Sequence, residues 1–80
     1  MNTLEQLKEY LEWEYKNTKD LINNPPTWCS TVKQKEHAIW NTINRCSGAT
    51  MFAQRCGVSY EDTDIYEKYR KELSALIDKC

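Results

Sequence analysis

Two breaks divide this chain. Asn23-Asn24-Pro25-Pro26 and Cys56-Gly57-Val58-Ser59 leave three segments, and in each the apolar residues recur at helical spacing. Each proline removes a backbone donor and turns the residue before it away from helical geometry. The glycine favours the left-handed turn that closes a helix. Three helices over about 3–22, 31–56 and 60–79 follow, packed as one small all-α bundle that spans residues 1–80 as a single domain.

The first segment opens with Thr3 and Gln6 in capping-box spacing. Leu4, Leu7, Leu11, Tyr15, Thr18 and Ile22 fall on one face, and Trp13 points nearly opposite to it. In the second, Thr31 and Gln34 repeat the capping spacing, and Val32, Ile39, Ile43, Cys46, Thr50 and Ala53 form the stripe. Trp40 and Met51 make a second ridge there. Gly48 sits mid-segment, where it marks either a close helix approach or a break that would turn three helices into four. In the third, Ser59 is placed to cap, with acidic Glu61, Asp62 and Asp64 in the opening turns. Tyr66, Tyr69, Leu73, Leu76, Ile77 and Cys80 then face inward. Trp28, beside the double proline, is expected to plug the end of the core, the alternative being an exposed contact residue.

Composition narrows the chemistry. The chain has 80 residues, 29% of them charged, and a net charge of −1, so no strong field draws it to nucleic acid or an anionic membrane. No stretch approaches a membrane span, and the N-terminal residues lack the pattern of a signal peptide. A cytoplasmic protein with reduced thiols is the expectation for Cys29, Cys46, Cys56 and Cys80. No Cys-x-x-Cys pair occurs and His37 is the lone histidine, so neither a metal nor another cofactor is expected. His37 and Glu36 diverge by about 100° on a helix and cannot act as a dyad; no enzyme is read here.

The middle helix carries Lys33, Lys35, Arg45 and Arg55 against Glu36 alone, between two mildly acidic helices. That distribution fits complementarity within the bundle. It also fits a working surface. Three tryptophans, five tyrosines and one phenylalanine exceed the inward positions of so small a core. The candidate contact residues are therefore Trp13, Trp40, Met51, Phe52, Lys33, Lys35, Arg45 and Arg55, facing a protein partner or a second copy in a homodimer. Trp40 and its neighbours could instead serve a broad core.

Ala53-Gln54-Arg55-Cys56-Gly57-Val58-Ser59 resembles the turn of helix-turn-helix DNA readers, with an alanine four residues before the turn glycine and Val-Ser after it. That resemblance implies a small DNA-binding regulator. Against it, the helix that would enter the groove opens with Glu61, Asp62 and Asp64, and Glu67 follows, where phosphates favour lysine and arginine. The stretch from Phe52 to Asp62, ahead of a tyrosine-rich last helix, is also similar in style to small helical proteins of phages and mobile elements of Gram-positive bacteria. That likeness implies a protein that binds and modulates a host protein, including inhibition of a defence nuclease such as a CRISPR effector.

Overall fold

The computed structural model describes residues 3–78. Helix α1 runs over Thr3–Asn23, α2 over Val32–Arg55 and α3 over Ile65–Ile77; 3-10 turns at Thr27–Cys29 and Asp62–Asp64 precede α2 and α3. The described residues contain no strand. The three helices pack on one another, and the residues that meet at each end make them an up-down-up bundle. The fold is the three-helix all-α bundle that the periodicity predicts.

Both ends of α2 are closed by local chemistry. The Gln34 N–H donates to Thr31 Oγ1 at 3.1 Å, and Gln34 Oε1 accepts from the Thr31 N–H at 3.2 Å, the reciprocal capping box. At the other end Gly57 takes φ 100°. The Val58 N–H bonds the Ala53 carbonyl and the Gly57 N–H bonds that of Gln54, both at 3.1 Å. This pair of bonds is the Schellman arrangement. Helix α2 is continuous through Gly48, and a Cβ built there would meet no atom within 4 Å. Gly48 thus neither breaks the helix nor admits a neighbouring helix of the same chain.

The core has two ends. Ile22, Ile39, Ile43, Leu73 and Leu76 pack at the Pro-Pro end. Leu7, Leu11, Cys46 and Ala53 pack at the other, with Ile65, Tyr66 and Tyr69 against them. The expected stripes are buried at Leu11, Ile43 and Leu73.

Several expectations are corrected. Trp28 is 69% exposed, and Cys29 closes the core in its place. Successive residues of a 3-10 turn point about 120° apart, so one of the pair faces inward, and the small thiol fits. The segment between α1 and α2, read as plain loop, contains that turn. Val32 is exposed, because the first turn of α2 projects beyond the core. Thr3 is already helical, one position inside its expected role as cap.

The third helix begins at Ile65, five residues later than Tyr60. Ser59 Oγ does accept from the Asp62 N–H at 3.1 Å, yet the turn it starts is 3-10. Thr63 is the reason. Its hydroxyl donates to the Tyr60 carbonyl and accepts from Gln54 Nε2, both at 2.9 Å, pinning the turn to α2. Cys80, expected on the inner face of this helix, and Lys79, its expected last residue, lie outside the described residues.

Candidate interaction face

The α1/α2 seam is polar at its centre. Glu14 occupies a core-facing position and is only 4% exposed. Burying a lone carboxylate would be costly, and two side chains, one from each helix, supply its partners. Arg45 Nε donates to Glu14 Oε2 at 2.5 Å, and the Tyr10 hydroxyl donates to the same oxygen at 3.1 Å. Arg45 Nη2 continues to Thr42 Oγ1 at 3.0 Å. Thr42 spends its one proton on the Ala38 carbonyl at 3.0 Å, so the 2.7 Å contact between Thr18 and Thr42 has Thr18 as donor. The chain Tyr10–Glu14–Arg45–Thr42–Thr18 crosses from α1 to α2 and back.

The electrostatics follow from this arrangement. The hydrogen bond to Glu14 raises the Arg45 guanidinium further above its ordinary range. Burial and then the Glu14 charge raise the Tyr10 hydroxyl. The neighbouring Cys46 thiol is pushed from 9.0 up to about 11, first by burial, then by Glu14, with Arg45 opposing. A thiol held neutral in this way is a poor nucleophile or ligand. Among the described residues no group of three His, Cys, Asp or Glu side chains is placed to hold a metal ion.

Outward from this seam lies a face with few charges. Two hollows run along it. One, of about 360 Å³, is lined by Trp13, Asn17, Trp28 and Asn41 over a floor of Glu14, Thr18, Thr42 and Arg45. The next, of about 170 Å³, lies between Gln6 and Tyr10 of α1 and Ala49 and Phe52 of α2. Their linings contain a single pair of charged side chains, Glu14 and Arg45, and these neutralise each other. Trp13, Trp28 and Phe52 stand over the hollows at 59%, 69% and 68% exposure. Trp13 rests on Tyr10, ring centroids 6.3 Å apart, and Tyr10 is in turn fixed by Glu14.

The residues singled out from the sequence do not form one patch. Trp13, Arg45 and Phe52 belong to the α1/α2 face. Arg45 has its guanidinium engaged with Glu14 and is no freely displayed rim charge. Met51 and Arg55 line a separate depression with Gln54 and Tyr60. Trp40 is 52% exposed and so not a core residue. By helical spacing it shares the Met51 flank of α2, turned from Arg45 and Phe52. Lys33 lies beside Trp28 and His37 at the start of α2, and Lys35 is half-buried.

Sequence reasoning passes over Glu14, Asn17 and Asn41, and offers Trp28 as a contact residue only as the alternative to a core plug. A signal was present. Leu7, Leu11, Glu14, Thr18 and Ile22 keep three- and four-residue steps, which puts a carboxylate in the core stripe. Gln6, Tyr10, Trp13, Asn17 and Leu21 form a second stripe without a charge, in a chain where 29% of residues are charged. No family model, curated protein or solved structure matches this chain, so the face is read from its own chemistry.

Proposed function

We propose that this chain is a small non-enzymatic protein-binding module of the cytoplasm, and that the α1/α2 face is its working surface. One observation carries the reading: three exposed aromatic side chains stand over hollows whose only charges are an internal ion pair. Interface centres are depleted in charge and enriched in tryptophan, phenylalanine and arginine. An adaptor or inhibitor acts by covering or displacing another protein's surface, and this needs no catalytic group. The similarity in style to phage and mobile-element proteins gives the reading a direction: modulation of a host protein, with a defence nuclease such as a CRISPR effector among the candidates.

The DNA-binding alternative has less support. Seven residues lie between Gly57 and the start of α3, and they include a 3-10 turn in place of a short turn. Glu61, Asp62, Asp64 and Glu67 are exposed at the end that would meet phosphate. No helix of the described residues is long and apolar enough to cross a membrane.

The test is affinity capture from the native host, run with the unaltered chain and with Trp13→Ala and Trp28→Ala. A protein retained by the unaltered chain should be released by the variants, each weakening the complex by ~2 kcal/mol, about 30-fold. Capture that is indifferent to both tryptophans, or capture of DNA with a steep loss on raising salt, removes this reading.

A further inference from the structure

We infer that the α1/α2 face docks on a second copy of this chain, forming an antiparallel four-helix layer from two α1/α2 pairs. The inference rests on the proposed role of that face and names one occupant for it.

Size is the first argument. Helices α1 and α2 have 21 and 24 residues. Side by side, at 1.5 Å per residue and about 10 Å diameter, they present roughly 650 Å² in flat projection. Side-chain relief adds to that figure. A standard interface buries about 800 Å² per partner, and a specific one needs about 500 Å².

Charge is the second argument, and it also selects the geometry. The centre of the face is neutral and bears amides, Gln6, Asn17 and Asn41, that both donate and accept, so it is compatible with itself. The two edges differ. One turn from Trp13 the outer edge of α1 carries Glu9, and two turns on it carries Asp20; both are exposed, and Lys16 between them is paired with Glu12. The outer edge of α2 carries His37 and Arg55, also exposed.

An isologous pair has its two-fold axis in the plane of the interface. An axis across the helices would lay α1 on α1 and match acidic edge with acidic edge. An axis along them lays α1 of one copy on α2 of the other. The acidic edge then meets the basic one, and all neighbouring helices run antiparallel.

Register is the third argument. The Glu14–Arg45 bond fixes which levels of α1 and α2 coincide, and a two-fold axis along the helices preserves those levels. Trp13 of one copy therefore faces the level of Arg45 and Gly48 on the other. Gly48 is exposed, with nothing within 4 Å of a Cβ built on it. The bundle itself gives no reason for a glycine there, whereas a tryptophan seated on α2 does. By the same count Asp20 falls within about two residues of the level of His37, while Glu9 falls about five residues short of Arg55.

Sedimentation equilibrium on the full chain, from about 5 to about 500 µM, tests the inference. The mass should rise from the 9.5 kDa of one chain to twice that value. Gly48→Leu should leave helix content unchanged, since the position is open in the monomer. It should raise the dissociation constant at least about 30-fold, as loss of an interface anchor does. Asp20→Lys should weaken the dimer, and His37→Glu in the same chain should restore it to within about threefold.

A mass that stays at 9.5 kDa throughout overturns the inference, as does a dimer indifferent to Gly48→Leu. A monomer that still captures a different protein through Trp13 leaves the binding role standing without the dimer. A dimer whose tryptophan variants capture the same host proteins as the unaltered chain does the reverse.

Discussion

Helix α2 makes two seams of different kind. Against α3 it places Ile39 and Ile43 on Leu73 and Leu76, an apolar contact that is non-directional. Against α1 it places Arg45 and Thr42 on Glu14 and Thr18, with bonds of 2.5 to 3.0 Å that hold at one register. Apolar burial is the main favourable term in folding, and Leu7 and Leu11 of α1 add to it beside Cys46 and Ala53 of α2. The polar seam fixes how α1 and α2 sit relative to each other, and so fixes the face they present outward. A buried ion pair is a poor source of net stability and a good source of specificity where its partners are fully bonded.

The largest effect should come from the apolar seam. Leu73 is fully buried, and Leu73→Ala should cost ~2–5 kcal/mol, the range for buried leucine truncations. For a domain of this size that is most of the available stability. Urea titration followed by circular dichroism reads it, and a loss under about 1 kcal/mol would mean that this seam does not carry the fold.

Next is the polar seam. Arg45→Ala leaves Glu14 buried with Tyr10 as its remaining partner. Breaking a buried pair costs ~3–5 kcal/mol, and because Arg45 is half in water a loss of about 2–3 kcal/mol is expected. Replacing both partners, Glu14→Leu with Arg45→Leu, should recover most of that loss. The double variant separates the two roles. If it is stable yet its two aromatic hollows no longer bind, the pair served register. If it is as unstable as Arg45→Ala alone, the pair was a net source of stability, and the contrast between the seams fails.

Cys46 sits where the two seams meet, and its thiol titrates later in the folded chain than in the unfolded one. Below pH 9 both states are protonated and the full stability is present. Between pH 9 and about 11 the unfolded state loses its proton first, so stability falls as pH rises, by ~2 kcal/mol across the window. Cys46→Ala should flatten that segment of the stability–pH curve. Thiol alkylation below pH 9 should modify exposed Cys56 and spare Cys29 and Cys46.

Which parts were legible in the sequence follows from the same contrast. The apolar seam announces itself, because leucine and isoleucine at three- and four-residue steps have one economical arrangement. Caps announce themselves too: Thr31, Gln34 and Gly57 act through bonds to residues a few positions away.

The polar seam is hidden because a carboxylate in a stripe reads as an exposed side chain until its partner is known. Arg45 lies 31 positions from Glu14. For the same reason the sequence offers Arg45 as a basic contact residue for a partner, whereas its guanidinium is spent inside the bundle. Size and a place beside a turn favour Trp28 as core over an exposed contact; whether it or Cys29 turns inward is decided by the phase of a three-residue 3-10 turn, which no periodicity reveals. Trp13 was placed outward correctly, since a long helix fixes the phase of every residue on it.

Trp13→Ala should change monomer stability by less than about 1 kcal/mol, because the ring is 59% exposed and rests mainly on Tyr10. The measurement belongs at low protein concentration, where association does not add to the apparent stability. A loss comparable to that of Leu73→Ala would place Trp13 in the folding core and take away the chief anchor of the α1/α2 face.

The smallest effect has the opposite sign. Gly48 lies in mid-helix, exposed, with open space around an added methyl. Glycine there costs the helix ~0.5–1 kcal/mol relative to alanine through the backbone freedom it loses on folding. Gly48→Ala should therefore stabilise the monomer by that amount, a rise of about 2–8 °C in Tm for a domain of this length. A fall in Tm would mean that the backbone at Gly48 departs from regular helix, and the hole on α2 would need another origin. A rise leaves a glycine whose presence weakens its own fold. That position lies at the level of α2 that Trp13 of a second copy would reach in the inferred dimer, where a larger side chain would stand in its way.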